Sequence, residues 1–222
     1  MTDLMRIVVA LVAVGWLTTP ANAQVVIDGG FENYAVSAGG FVQPSSGPWS
    51  FTNDAGVVEP FSPNSSNGPL DTWSATRAAY QGQQYASTYA GADEIRQSVT
   101  FAVPGLYDLS VRAFAPSGTL TIPNVFTNAP LTDGQFRFWF GTATTGSTFT
   151  VPAGWDWTSY TTRVTVPAAG AYDVGVANQT VDKYFINYDD LRVTAVPEPA
   201  AATCITTLLL FSWRASFRRS SS

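Results

Sequence analysis

Any chemistry in this chain proceeds without histidine. Its 222 residues include no His and a single cysteine, Cys204, which excludes serine–histidine, cysteine–histidine and zinc–histidine arrangements outright. Carboxylates, arginines and aromatic rings remain. Flat rings stack on the apolar faces of sugars while neighbouring polar groups bond the hydroxyls, and the seven tryptophans are the natural rings to consider. In Phe136-Arg137-Phe138-Trp139-Phe140, alternation sets Arg137 and Trp139 on the face opposite the phenylalanines. Trp139 beside Arg137 is the first candidate for ligand binding. Trp155-Asp156-Trp157 is the second, because residues two apart on an extended segment point the same way. Arg112, on the polar side of its own alternating run, is the further candidate contact. The competing role for each tryptophan is core or edge packing.

Hydrolysis of a glycoside needs two carboxyl groups about 5–5.5 Å apart for retention or about 6.5–9.5 Å for inversion. Asp93, Glu94 and Glu59 are available, but nothing in their spacing selects a pair, and Asp93-Glu94 after Gly91 reads as a turn. No catalytic residue is assigned. Asp189 poses a different question. In Asn187-Tyr188-Asp189-Asp190-Leu191-Arg192-Val193 it shares its alternating face with Leu191 and Val193, so it is expected to point inward. A buried carboxylate without a partner is costly or becomes protonated.

The elements that hold these residues read as strands. Charged residues make up 12% of the chain, about half the usual ~25%, and Gly, Pro, Ser, Thr, Asn and Gln fill the difference. Period-two runs bounded by Gly, Pro or Asn recur from Val25 to Val196: 85–89, 95–101, 107–113, 136–140, 160–166, 172–176 and 184–193. With no helical period between them, the expected fold is all-β, an antiparallel β-sandwich. Val99 to Val111 and Val164 to Val176 echo one another as strand, Gly turn, Tyr-Asp and alternating apolar residues, the pattern of equivalent hairpins in two sheets. Trp49 to Leu70 is expected to be a long loop or an edge excursion. A nucleic-acid partner is excluded on charge: acidic residues outnumber basic ones 16 to 11, and Lys183 is the only lysine.

The ends differ from this middle. Met1 to Ala23 opens with Arg6, continues through apolar Ile7–Leu17 and closes on Ala21-Asn22-Ala23, small residues where a signal peptidase reads. A helical signal peptide over 1–23 with cleavage after Ala23 is expected. At the other end Pro197-Glu198-Pro199 precedes an apolar segment, 200–213, and a basic end, 214–219, with Arg214, Arg218 and Arg219. Apolar helices flanked by such charges stop in a membrane with the charges on the cytoplasmic side. These three parts resemble the PEP-CTERM sorting tail of exopolysaccharide-producing Gram-negative bacteria. The resemblance implies an exosortase partner, transient inner-membrane anchoring through a short apolar helix, and delivery to the cell surface or extracellular matrix. An ordinary C-terminal transmembrane anchor is the alternative.

The middle, 24–196, is expected to be one domain. Ile27-Asp28-Gly29-Gly30-Phe31-Glu32, the run from Gln83 to Val99, Pro104-Gly105-Leu106-Tyr107, Gly170-Ala171-Tyr172 and Asn187-Tyr188-Asp189-Asp190-Leu191 keep an order that resembles the galactose-binding-like jelly roll, in particular its carbohydrate-binding modules. That resemblance implies neighbouring first and last strands, which would set Glu32 beside Asp189. Two adjacent carboxylates repel unless a cation lies between them, and carboxylate with carbonyl oxygen is the donor set of Ca²⁺. A structural calcium on Glu32, Asp189 and the carbonyl of Gly30 is therefore expected; the alternative is that both acids accept backbone hydrogen bonds without metal. The expected function is that of an exported, non-catalytic protein binding extracellular polysaccharide. A structural or adhesive surface protein with a protein partner is the alternative, and a carboxylate-dependent glycosidase comes last.

Overall fold

The alternating runs do form strands, and turn residues end them. The structure, a computed structural model, describes residues 26–60, 78–89, 91–115, 133–154, 156–180 and 185–197. Its strands are β1 (Phe41–Val42), β2 (Ser50–Phe51), β3 (Gly56–Val58), β4 (Tyr85–Thr88), β5 (Glu94–Phe101), β6 (Gly105–Phe114), β7 (Gly134–Phe140), β8 (Ala143–Thr144), β9 (Phe149–Val151), β10 (Thr158–Val166), β11 (Gly170–Asn178) and β12 (Ile186–Ala195). They build two sheets, one in the order β1-β3-β4-β12-β6-β10 and the other β2-β5-β11-β7-β8, with β9 also on β7. We call them the first and second sheets. All the strand pairings with a defined register are antiparallel, and the chain is an all-β sandwich as expected. Among the described residues no helix is long and apolar enough to cross a membrane.

The space between the sheets is filled from both sides by alternate residues. Phe136 and Phe138 of β7 are fully buried, and Phe136 meets Tyr188 of β12 at 5.5 Å and Tyr160 of β10 at 5.3 Å between ring centroids. Tyr160 pairs with Val111, so Leu109, Val111 and Ala113 of β6 share that inner side. On β5, Ile95, Gln97, Val99 and Phe101 are buried and the intervening Arg96, Ser98 and Thr100 are not. Gln97, polar on a core face, is satisfied by the N-terminal segment: its Oε1 accepts from the Ile27 N–H at 2.8 Å and its Nε2 donates to the Ile27 carbonyl at 2.7 Å. The Gly29 carbonyl then accepts from the Leu191 N–H at 2.9 Å, which brings the beginning of the domain against its last strand.

One expectation about this frame needs correction, and another resolves between its two alternatives. The repeated motifs are arches, not hairpins: β5 lies in the second sheet and β6 in the first, while β10 lies in the first and β11 in the second. Each repeat therefore crosses the sandwich, and the two arches stack, β5 on β11 and β6 on β10. A tyrosine closes each crossing, Tyr107 donating to the Val103 carbonyl at 2.7 Å and Tyr172 to the Ala168 carbonyl at 3.0 Å. The described part of the stretch from Trp49, to residue 60, is an edge excursion rather than a long loop: it holds β2 at the end of the second sheet and β3 beside the end strand of the first, and buried Trp49, Val57 and Val58 carry enough apolar surface to hold them. Of the two end segments only Pro197, exposed just beyond β12, falls within the described residues; Ala21, Ala23, Glu198, Pro199, Arg214, Arg218 and Arg219 lie outside them, as does Trp155.

Candidate functional site

Because alternate residues of each sheet fill the core, the others face outward, and the ligand candidates divide between two outer faces. Register places Ser50, Arg96, Gly175, Trp139 and Thr144 in one row across the second sheet. Gly175 leaves the middle of that row empty, and the Arg96 guanidinium lies over the Trp139 ring at 4.5 Å from its centroid. Cation–π contact of this kind contributes roughly 0.5–1 kcal/mol at a partly exposed site. Glu94 fixes the other side of Arg96 at 3.1 Å, and the Trp139 Nε1 donates to the Gly141 carbonyl at 3.0 Å. Trp139 is thus a held, half-buried ring capped by a guanidinium rather than an open stacking plate. Arg137, next along β7, donates from Nε to Thr148 Oγ1 at 2.9 Å.

Beside this row runs a groove of about 500 Å³, with the segment 44–51 on one side and Arg96, Ser98 and Asp173 on the other. That is within the ~300–1,000 Å³ range of small-molecule sites. The groove offers donors and acceptors together, and the Arg96 charge is already offset by Glu94. Ser98 and Arg96 were legible as an outward pair on β5. Asp173 and the Pro44–Phe51 wall carried no local signal, since only the pairing of β2 and β11 with β5 brings them alongside.

The other candidates belong to the first sheet. Arg112 faces outward on β6, with its guanidinium 4.5 Å from the centroid of the Tyr80 ring. Trp157 stands beside them, 6.4 Å from Tyr80 and 4.5 Å from Phe114 between centroids, its Nε1 donating to the Ala78 carbonyl at 3.0 Å. Arg112 and Trp157 thus fall together beside Tyr80, whereas Arg137 and Trp139 sit on the opposite side of the sandwich. Tyr80 has no strand pattern around it and was not legible as a site residue.

Asp189 is fully buried, but not on the core side. Tyr188 points between the sheets, so Asp189 points outward, and Asp190, at φ 52°, interrupts the alternation before Leu191. Loops roof it instead. Asp189 Oδ2 accepts from the Gln81 N–H at 2.9 Å and Oδ1 from the Asp190 N–H at 2.6 Å. Glu32 Oε1 accepts from the N–H groups of Gln83 and Gln84, both at 2.9 Å. Gly82, at φ 71°, lies so close that a Cβ there would meet Glu32 Oε1 at 2.1 Å. A Cβ at Gly30 would lie 3.6 Å from Asp189 Oδ1 and 4.0 Å from Glu32 Oε1, so Glu32, Asp189 and Gly30 converge on one corner.

Loss of water pushes the Asp189 carboxyl up to about 7, against the backbone N–H groups of Gln81, Asp190 and Tyr80, which favour the ionised form, and with the Asp190 charge opposing it. Hydrogen bonds alone do not hold this group ionised. Glu32 and Asp189 are two carboxylates beside Gly30, and among the described residues no third acid joins them; a calcium ion held there would neutralise both charges and tie the loops of Glu32 and Gln81 to β12.

The remaining acids considered for catalysis have structural partners. Asp93 Oδ2 accepts from the Tyr89 N–H at 2.7 Å and Oδ1 from the Asp54 N–H at 3.3 Å. Glu94 pairs with Arg96, and Glu59 accepts from Gln84 Nε2 at 3.2 Å.

No protein-family model matches the chain and no curated protein is similar to it. Solved structures share its fold. TmCBM61, in complex with β-1,4-galactotriose, has 12% identity over 78% of this chain and 100% of its own, with a TM-score of 0.50. A cyclase from Fischerella sp. TAU has 14% identity over 79% of this chain and 98% of its own, at 0.55. The CBM22-1 xylan-binding domain of Paenibacillus barcinonensis Xyn10C has 12% identity over 74% and 99%, at 0.45. At such identities the likeness is one of fold, shared by a carbohydrate-binding module and by cyclases.

Proposed function

We propose that this chain binds extracellular polysaccharide, without catalysing its turnover, in the groove beside Arg96 and Trp139 on the second sheet. The observation that carries the reading is a groove of about 500 Å³ lined by Arg96, whose guanidinium is held between Glu94 and the Trp139 ring. Its donors and acceptors are fixed in place and its arginine is neutralised, which suits the hydroxyls of a neutral glycan better than an anion. The fold-likeness to TmCBM61 supports it. In this reading residues 1–23 export the chain, and Pro197-Glu198-Pro199 with the arginines beyond it engages exosortase-type machinery through transient inner-membrane anchoring, leaving 24–196 at the cell surface or in the extracellular matrix. Glu32, Asp189 and the Gly30 carbonyl hold calcium as a structural ion.

A glycan array probed with the full chain, with and without calcium, tests the reading. Binding to neutral polysaccharides is expected, at least tenfold weaker for Trp139→Ala and Arg96→Ala. Absence of binding to every glycan would overturn it in favour of an adhesive protein with a protein partner, and chemical turnover of a bound glycan in favour of an enzyme.

A further inference from the structure

We propose a second site, on the outer face of the first sheet, which takes a carboxylate-bearing sugar of an acidic polysaccharide. It lies across the sandwich from the groove and does not depend on it. Arg112 starts the argument. Arg96 has Glu94, Arg163 has Asp108 at 2.8 Å, Arg192 has Asp190 at 2.5 Å and Arg137 has Thr148. Arg112 has only the Tyr80 ring; among the described residues no carboxylate or other acceptor meets its guanidinium. A planar fork held over a ring, its donors unmet among the described residues, is arranged for bidentate capture of a carboxylate.

The surroundings narrow what carries that carboxylate. Tyr80 is 44% exposed and Trp157 half-buried, so two ring surfaces adjoin the arginine and can take the apolar face of a sugar. Trp157 and Tyr80 continue through Tyr85 and Phe114, with centroids 5.5 Å from Tyr85 to Trp157 and 5.9 Å from Tyr85 to Phe114. Farther along the same face Ser87 stands opposite Asn187 in the β4–β12 register. Tyr85, Ser87 and Asn187 are at most 1% exposed, and Tyr85 Oη, Ser87 Oγ, Asn187 Oδ1 and Asn187 Nδ2 have no hydrogen-bond partner among the described residues. Buried polar groups are normally satisfied. The exposed Tyr80 ring, the half-buried Trp157 ring and the guanidinium match the ring face and carboxylate of a uronate, while the unsatisfied Tyr85, Ser87 and Asn187 groups lie beneath them, out of a ligand's reach. An acidic peptide would use the guanidinium alone.

Calorimetric titration of the full chain with trigalacturonate, β-1,4-galactotriose and hexaglutamate tests this. Trigalacturonate is expected to bind, more weakly as salt rises from roughly 50 to 300 mM, and to lose at least tenfold in affinity in both Arg112→Gln and Tyr80→Ser. Tyr80 is exposed on a loop, so Tyr80→Ser keeps the test valid if Arg112→Gln fails to fold. Trp139→Ala should leave trigalacturonate binding unchanged. That control separates the two sites: galactotriose binding lost in Trp139→Ala concerns only the groove. The proposal is overturned by no uronate binding, by uronate binding that survives in either first-sheet variant, or by hexaglutamate binding equally well.

Discussion

The Arg96 guanidinium lies 4.5 Å from the centre of the Trp139 ring, and the residue between them in the sheet row is Gly175. A Cβ on Gly175 would lie 1.9 Å from the Ile95 carbonyl oxygen, so β5 and β11 can approach as they do only with glycine there. Gly175→Ala should destabilise the domain by at least about 1–3 kcal/mol, read as a lower urea midpoint. A midpoint equal to that of the unaltered chain would show that the strands yield without cost.

Tyr107 and Tyr172 close equivalent arches, but the Tyr107 bond is part-buried and the Tyr172 bond exposed. Tyr107→Phe should cost about 1 kcal/mol and Tyr172→Phe less. Both rings also pack on Phe101, at 4.8 and 5.7 Å, so the double variant is expected to depart from additivity. Chemical denaturation of the four proteins checks the order and the coupling.

Asp189 makes stability depend on pH in an uncommon direction. Its carboxyl titrates at about 7 in the fold against an ordinary value of 3.8, so between those values the folded state keeps a proton that the unfolded state has lost. In EDTA, stability should fall as pH rises from about 4 to about 7 and then level off. Asp189→Asn should remove that slope. Calcium needs the ionised group, so its stabilisation should grow over the same interval and its binding near pH 6 should release a proton. Thermal melts across this range decide both points; a rising EDTA profile for the unaltered chain contradicts the first, and no calcium-induced shift at any pH the second.

Tyr85 offers a separation of stability from binding. Its hydroxyl is buried with no partner among the described residues, and its pKa is raised first by burial and then by the Asp189 charge. Tyr85→Phe keeps the ring contacts and should stabilise by about 1 kcal/mol while leaving trigalacturonate binding unchanged, because the hydroxyl is out of the ligand's reach. A loss of stability would mean that the hydroxyl is satisfied in solution.

Much of this frame was legible because each long strand has one dry face. Ile95, Gln97, Val99 and Phe101 alternate with Arg96, Ser98 and Thr100, and the sheet follows that division. Asp189 was read onto the wrong side because the left-handed Asp190 breaks the alternation that Leu191 and Val193 imposed. The split of Arg112 from Arg137 was invisible for another reason. Which sheet a strand joins depends on where the chain crosses the sandwich, and turn residues such as Pro104-Gly105 mark a reversal without saying whether it stays in one sheet.

The two stacked arches bear on how the domain comes to be folded. A hairpin can zip from its turn, but β5 finds its hydrogen bonds on β11 and β6 on β10, as in the pairing of Val99 with Tyr172. Neither arch is a local nucleus, so long loops must close before their contacts repay the lost chain entropy. Folding is therefore expected in the millisecond-to-second range of all-β domains, an interval in which the newly made chain is still open to partners that act on unfolded polypeptide.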